Sequence, residues 1–449
     1  MEGIMNHQLP VAVIGAGPVG LATVAHLLER GETPIIFEAG ASIGANLREW
    51  AHVRMFSPWQ YVVDKAAVRL LEAHGWQHPP ADGLPTGSDL RDQYLIPFAN
   101  LPEVKPHIHL NSKVMAVSRS HGDKMKDAKR EESSFIVHVV YGDGHEALIE
   151  ARAVIDASGT WNTPNPLGGN GLPALGEKHH ADKIFYGIPY INGDHLSRYA
   201  NKQVMVVGNG HSATNALLEL ATLRQTYPQT EVFWVMRSKG MNRVYGGGAD
   251  DELSARGQLG ERLRASVAAG MFHIVAPFFI TEIQADGDAL TVMGKTPTGT
   301  QTIVVDEIIS TTGSRPNLDM LRELRLDIDS SSESVRALAP MIDPNLHSCG
   351  TVSPHGESEL RQPEKDFYIV GMKSYGRAPT FLLLTGYEQV RSVVAMLAGD
   401  VQASQMLELV LPETGVCGVD DGSSGCCGTS NSSVSISFNE IGIGDRIKI

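Results

Sequence analysis

The chain has 449 residues, 42% hydrophobic and 20% charged, the make-up of a soluble globular protein too long for one compact core. Its 37 Lys and Arg against 51 Asp and Glu leave a formal net charge of −14, which argues against nucleic acid and anionic membranes as partners. Only four cysteines, with no framework spread through the fold, point to a reducing cytoplasm.

The first predicted elements lie in VAVIGAGPVGLATVAHLLERG, residues 11–31, read as a strand, a glycine turn and a helix. The run is no signal anchor: it lacks a basic leader, and its glycines and proline would break a membrane helix. GAGPVG at 15–20 has the G-x-G-x-x-G spacing in the required context. Gly15 permits the tight turn, Gly17 lets the backbone approach a pyrophosphate, and Gly20 lets the helix pack on the strand, with Pro18 and Val19 between them. The helix start offers free N–H groups and a positive dipole end to phosphates. Glu38 closes the next strand, PIIFE, where a carboxylate accepts ribose hydroxyl protons. This predicts a first dinucleotide site, assigned to FAD because a second site follows and a hydride donor needs an acceptor.

Residues 120–134, SHGDKMKDAKREESS, read as a solvated hairpin tip. AVIDASGTWNTPNP then gives a strand, a turn at Ser158 and Gly159, and a proline-rich crossing. The strand–turn–helix pattern returns in QVMVVGNGHSATNALLELA, with Gly208, Gly210 and Ser212 at the turn and His211 placed to cap the helix. The strand after it, EVFWVMRS, carries Arg237 where the first unit has Glu38. A guanidinium there pairs with a 2′-phosphate, so NADPH is expected in place of NADH, with Lys239 assisting. EIISTTGSRPN is a second strand ending in a crossing, so the chain leaves its first domain near 166 and returns near 310. Residues 366–400 read as a strand, a loop and a long helix back on the first domain. Gly371 then holds the flavin end, and the helix from Phe381 through Tyr387 aims its N-terminus at the flavin ring.

The expected fold class is α/β, with two Rossmann-like domains and the NADPH domain inserted into the FAD domain. Residues 1–165 and 311–405 form the FAD domain, 166–310 the NADPH domain, and 406–449 a flexible cysteine-containing tail. The tail ends in SVSISFNEIGIG, which alternates like a strand. No protein acid or base and no metal site is identified.

In GAGPVG, FSPW at 56–59, DASGTWNTPNP, GNGHSA with Arg237 and TTGSRPN, the chain resembles flavin-containing monooxygenases over about residues 10–400. That family has a Phe, Gly and His motif between its glycine turns; here Phe185 and Gly187 fit, but Ile191 stands in the histidine's place. VYGGGADDELSARG, DPNLHSCGTVSPHGESEL, VGMKSYGRAPTFLLLTGYEQVRSV and LPETGVC are similar to the flavoprotein monooxygenases of bacterial arsenic-resistance gene islands. That resemblance implies NADPH- and oxygen-dependent oxidation of trivalent arsenicals or antimonite through a flavin hydroperoxide. Beside it, Cys417, Cys426 and Cys427 are three soft thiolates on a glycine-rich arm, suited to a trivalent metalloid. Cys349 reads as a packed core residue. The alternatives are a monooxygenase of organic sulfur or nitrogen, a metalloid-binding chaperone, and a pyridine nucleotide–disulfide reductase. Against the last stands the lack of a C-x-x-C pair near either turn.

Overall fold

Val11–Ile14 (β1) is apolar and buried at every position, as a strand covered on both faces of a parallel sheet must be. In this computed structural model, which describes residues 9–409 apart from 241, 246–250, 252, 344–351, 353 and 379–380, β1 leads into helix α1 (Pro18–Glu29). The chain then returns as β2 (Pro34–Phe37), parallel to β1, and β3 (Ile108–His109) extends that edge. An antiparallel sheet of β4 (Ser112–Arg119), β5 (Phe135–Tyr141) and β6 (Glu146–Ala151) follows. β7 (Ala153–Asp156), again wholly buried, pairs with the other side of β1.

The chain next builds a second parallel sheet. Its strands are β8 (Ile184–Tyr186), β9 (Gln203–Val207), β10 (Glu231–Val235) and β11 (His273–Val275), with helices α2 (His211–Thr226) and α3 (Ser254–Ala268) between them. Three antiparallel strands, β12 (Phe279–Asp286), β13 (Ala289–Thr296) and β14 (Gly299–Val305), precede β15 (Glu307–Ser310). The second sheet runs β11-β10-β9-β15-β8. Only afterwards does β16 (Phe367–Ile369) complete the first sheet, in the order β16-β7-β1-β2-β3. Helix α4 (Leu383–Leu397) then packs on α1, where Gly386 is needed because a Cβ there would lie 2.7 Å from Val19.

Outward and return crossings are tied to each other. The Asn165 amide donates to the Gly313 carbonyl at 2.9 Å and the Arg315 amide to the Thr163 carbonyl at 3.0 Å. The Thr312 hydroxyl reaches the Asn165 carbonyl at 2.6 Å.

A buried ion pair joins β7 to the segment after β16. Lys373 Nζ donates to Asp156 Oδ2 at 2.6 Å and to Ser158 Oγ at 3.0 Å, with Lys373 2% and Asp156 0% exposed. The other Asp156 oxygen accepts from the Ser158 amide and hydroxyl.

The tip at 120–134 is not merely solvated, as expected from sequence. Arg130 is 4% exposed and donates to Glu364 Oε2 at 2.7 Å, while Arg119 takes Oε1 at 2.8 Å. Burial alone would raise the Glu364 pKa, but the guanidiniums of Arg130 and Arg119 outweigh it and hold the carboxyl below its ordinary range. The tip is docked by a charge whose partner lies far along the chain. Cys349, the tail cysteines and the terminal strand lie outside the described residues. Among the described residues no helix is long and apolar enough to cross a membrane.

Replacing Lys373 with Met leaves a buried, unpaired Asp156 and lowers stability by about 3–5 kcal/mol in urea unfolding. Adding Asp156→Asn to that variant restores part of the loss. A single variant that unfolds at the wild-type midpoint would show that the pair contributes nothing.

Candidate active site

The first glycine turn opens a groove of about 360 Å³ at the carboxyl ends of β1 and β7. It gathers Gly15, Gly17, Pro18, Val19, Glu38, Ser158, Gly159 and Gly371, eight residues singled out in the sequence and spread over 357 positions. Their roles separate by space. A Cβ on Gly15 would lie 2.9 Å from the Ala157 carbonyl, and one on Gly20 1.9 Å from the Gly15 carbonyl, so both serve close packing. A Cβ on Gly17 would meet nothing within 4 Å, which leaves the room a pyrophosphate needs at the start of α1. Glu38 holds the turn as well as facing the groove: Oε2 accepts from the Ala16 amide at 2.8 Å and Oε1 from the Gly40 amide at 2.7 Å. The site therefore fits a dinucleotide by both shape and donors.

Tyr387 is not brought there. It is buried on α4, its hydroxyl donates to the Val62 carbonyl at 2.7 Å, and it lines a different cavity beside His26 and Asp64. α4 starts at Leu383, which does line the groove; Tyr387 sits four residues on, about 6 Å further along the axis.

The second turn opens another groove, of about 220 Å³, containing Gly208 and Arg237. Gly208 has φ +134°, and a Cβ there would lie 2.4 Å from the Thr311 hydroxyl, so the residue that follows β15 closes over the turn. Gly210 caps α2 and faces open space, as Gly17 does. Ser212 lies outside this groove. His211 does not cap α2 with its side chain.

Ser212 and His211 instead border a third space, of about 230 Å³, between the two sheets. Its walls include Trp50, Met55, Phe56, Trp161, Ile188 and Phe381. Trp50, Met55, Trp161, Phe381 and Leu383 also line the first groove, so the two spaces adjoin. The Trp50 and Trp161 rings are 6.4 Å apart, and Trp161 Nε1 is anchored by Glu49 at 2.6 Å. Gly187 passes beside Trp161 with φ +118°, a backbone conformation that favours glycine. No Asp or Glu lines this cleft among the described residues. Ile191, in the place of the family's histidine, is fully buried in the second core. Sequence reading missed the cleft because its walls come from five separate stretches, and nothing in FSPW, DASGTWNTPNP or GNGHSA shows that Phe56, Trp161 and His211 meet.

The His211 ring keeps a face open to the cleft and lies 5.1 Å from Phe56. Withdrawal from bulk water, and then the Arg256 guanidinium, lower its pKa to about 4, so it is neutral at pH 7.

Residues 12–348 match the family described as Pyridine nucleotide-disulphide oxidoreductase. The chain belongs to that family. The two parallel sheets and their glycine turns, already described, accord with that membership. Monooxygenase cfoE of Aspergillus candidus is 28% identical over 229 residues, 49% of this chain and 34% of that protein. Flavin-containing monooxygenase 1 of Homo sapiens is 24% identical over 219 residues, 48% of this chain and 38% of that protein. The chain spans little more than a third of these curated relatives. Among solved structures, bacillithiol disulfide reductase Bdr (YpdA) of Bacillus cereus superposes with a TM-score of 0.63 at 18% identity, covering 87% of this chain and 99% of that one. This sequence has no C-x-x-C pair; its cysteines are at 349, 417, 426 and 427.

Because the folded state holds His211 below its ordinary pKa of 6.5, the unfolded chain binds more protons between pH 6.5 and about 4. Stability therefore falls as pH drops through that window. Thermal midpoints of a His211→Gln variant decline less steeply over it than the wild type's; parallel declines would mean that the ring is not held neutral.

Proposed function

We propose that this chain is an FAD- and NADPH-dependent monooxygenase acting on small, uncharged substrates that carry a soft lone pair, with trivalent arsenicals or antimonite as the preferred class. The observation that carries the substrate class is the aromatic, carboxylate-free cleft adjoining the first groove. An ammonium substrate would find no counter-ion there among the described residues, whereas methylarsenite and arsenite are uncharged at neutral pH. The sequence resemblance to arsenic-resistance flavoproteins supports the metalloid over an organic sulfide. The sulfide remains the second reading because both curated relatives are monooxygenases.

In this reading 1–165 and 311–405 bind FAD and 166–310 bind NADPH. Gly15, Gly17 and the start of α1 hold the FAD pyrophosphate, and Glu38 the adenosine ribose. Gly208, Gly210 and Arg237 hold NADPH, with Arg237 on the 2′-phosphate. Bound FAD supplies the redox chemistry, accepting hydride from NADPH and activating oxygen. The protein's part is to orient the two cofactors and to keep water from the cleft with Trp50, Phe56, Trp161 and Phe381. His211 is neutral, so Arg54 is the one charged side chain lining the cleft among the described residues, and it would repel an ammonium group. Cys417, Cys426 and Cys427 would capture the metalloid and raise its local concentration.

NADPH oxidation is expected to rise with methylarsenite, arsenite or antimonite and not with primary amines. Stimulation by amines alone would overturn the substrate class, and binding of metalloid without turnover would favour a chaperone. Replacing Cys417, Cys426 and Cys427 with Ser raises KM for the metalloid while leaving FAD content and flavin reduction unchanged; an unchanged KM would remove the tail from the scheme. Arg237→Ala raises KM for NADPH about 10- to 100-fold and leaves NADH nearly untouched. Equal losses with both nucleotides would show that Arg237 does not read the 2′-phosphate.

A further inference from the structure

The groove at the second glycine turn holds a residue that does not come from the second sheet. Arg377 follows β16 and the Lys373 ion pair, on the segment that completes the first sheet, yet it lines the same cavity as Gly208, Asn209, Arg237 and Ser238. Its backbone is held rigidly. The Arg377 amide donates to the Ser332 carbonyl at 2.7 Å, and Gly376, at φ +60°, packs so tightly that a Cβ would lie 2.2 Å from the same oxygen.

The side chain is not committed in the same way. Neither Arg377 nor Arg237 forms an ion pair or a side-chain hydrogen bond with any described residue. Glu333, the carboxylate on the loop that Gly376 packs against, is already occupied by Arg315, whose Nε donates to it at 3.0 Å. No Asp or Glu lines the cavity among the described residues. Two exposed arginines without a described partner, one following β10 of the second sheet and one following β16 of the first, thus line one groove in a protein whose net charge is −14. Such a pair is suited to a phosphate-bearing anion, because each guanidinium offers a planar fork of donors to phosphate oxygens.

We infer that Arg377 is a phosphate-binding residue for the nicotinamide dinucleotide, reaching it from the FAD-side segment and pinning the nucleotide against the second sheet. The inference rests on NADPH occupying this groove. It assigns Arg377 to the nucleotide's phosphates as a group, pyrophosphate or 2′-phosphate.

The test uses FAD-loaded, oxidised full-length protein, titrated calorimetrically with NADP+ and with NAD+, so that no turnover is involved. Arg377→Gln is expected to raise the Kd for NADP+ about 10-fold, the loss of one charge-assisted phosphate contact. The flavin absorbance spectrum and FAD content should match the wild type, which shows that the variant is folded. A parallel loss with NAD+ places Arg377 on the pyrophosphate, and a loss confined to NADP+ places it on the 2′-phosphate. Both outcomes support the inference. A Kd within twofold of wild type for both nucleotides overturns it. Arg237→Gln, run beside it, separates the two failures. If that variant loses NADP+ affinity while Arg377→Gln does not, the groove assignment stands and the role of Arg377 falls. If the wild type binds neither nucleotide, both fall.

Discussion

The buried pair between Lys373 and Asp156 is the constraint on which the rest of the architecture rests. The first sheet is left unfinished at β7 while the chain builds a whole second sheet, and only the three residues of β16 return to complete it. Three edge residues offer few hydrogen bonds with which to choose a register. A lysine that is 2% exposed is costly anywhere except against a matching carboxylate, so the pair rejects misplaced returns by their desolvation cost. Because Asp156 also holds Ser158, and Gly371 lies two residues before Lys373, the same contact shapes both walls of the first groove. Completing the sheet and shaping the first groove therefore depend on the same contact.

Parts of the molecule whose physics is local were readable in the sequence. A strand, a glycine turn and a helix within twenty residues fix their own geometry, so Gly15, Gly17 and Gly208 stand where their spacing places them. Ser158 and Gly371 were legible because each ends a short apolar strand at the edge of the groove. Contacts made at long range were not. The partner that buries Arg130 is Glu364, 234 positions away, and nothing in the charged stretch around Arg130 distinguishes it from a solvated tip. Tyr387 was misassigned for another reason. The approach of its helix was foreseen, but the depth of one turn along the axis decides between groove and core. The cleft walls, drawn from Trp50, Trp161, Ile188 and Phe381, share no spacing that a sequence pattern could register.

The two grooves have opposite chemical handles on a common plan. A carboxylate follows the second strand of the first unit and an arginine follows that of the second, while Gly17 and Gly210 face open space at equivalent positions. Between them the contents of the cleft decide what the fold does. A disulfide reductase and a monooxygenase can share this scaffold because the scaffold only sets two cofactors side by side. Here the intervening space is lined by indole, phenyl and aliphatic side chains with Arg54 as its one cation among the described residues, and the sequence has no C-x-x-C pair close to either turn.

The crossings at Thr163–Asn165 and Thr312–Arg315 hydrogen-bond to each other, so the stretch that separates them begins and ends at nearly one point. To the first sheet, that stretch is a closed loop. The entropy of closing a loop grows only logarithmically with its length. Lengthening or shortening the intervening chain would therefore change the cost of completing the first sheet very little. The paired crossings act as a clasp: they isolate the strand order on one side from insertions and deletions on the other, so each half of the molecule is free to vary in size at its own pace.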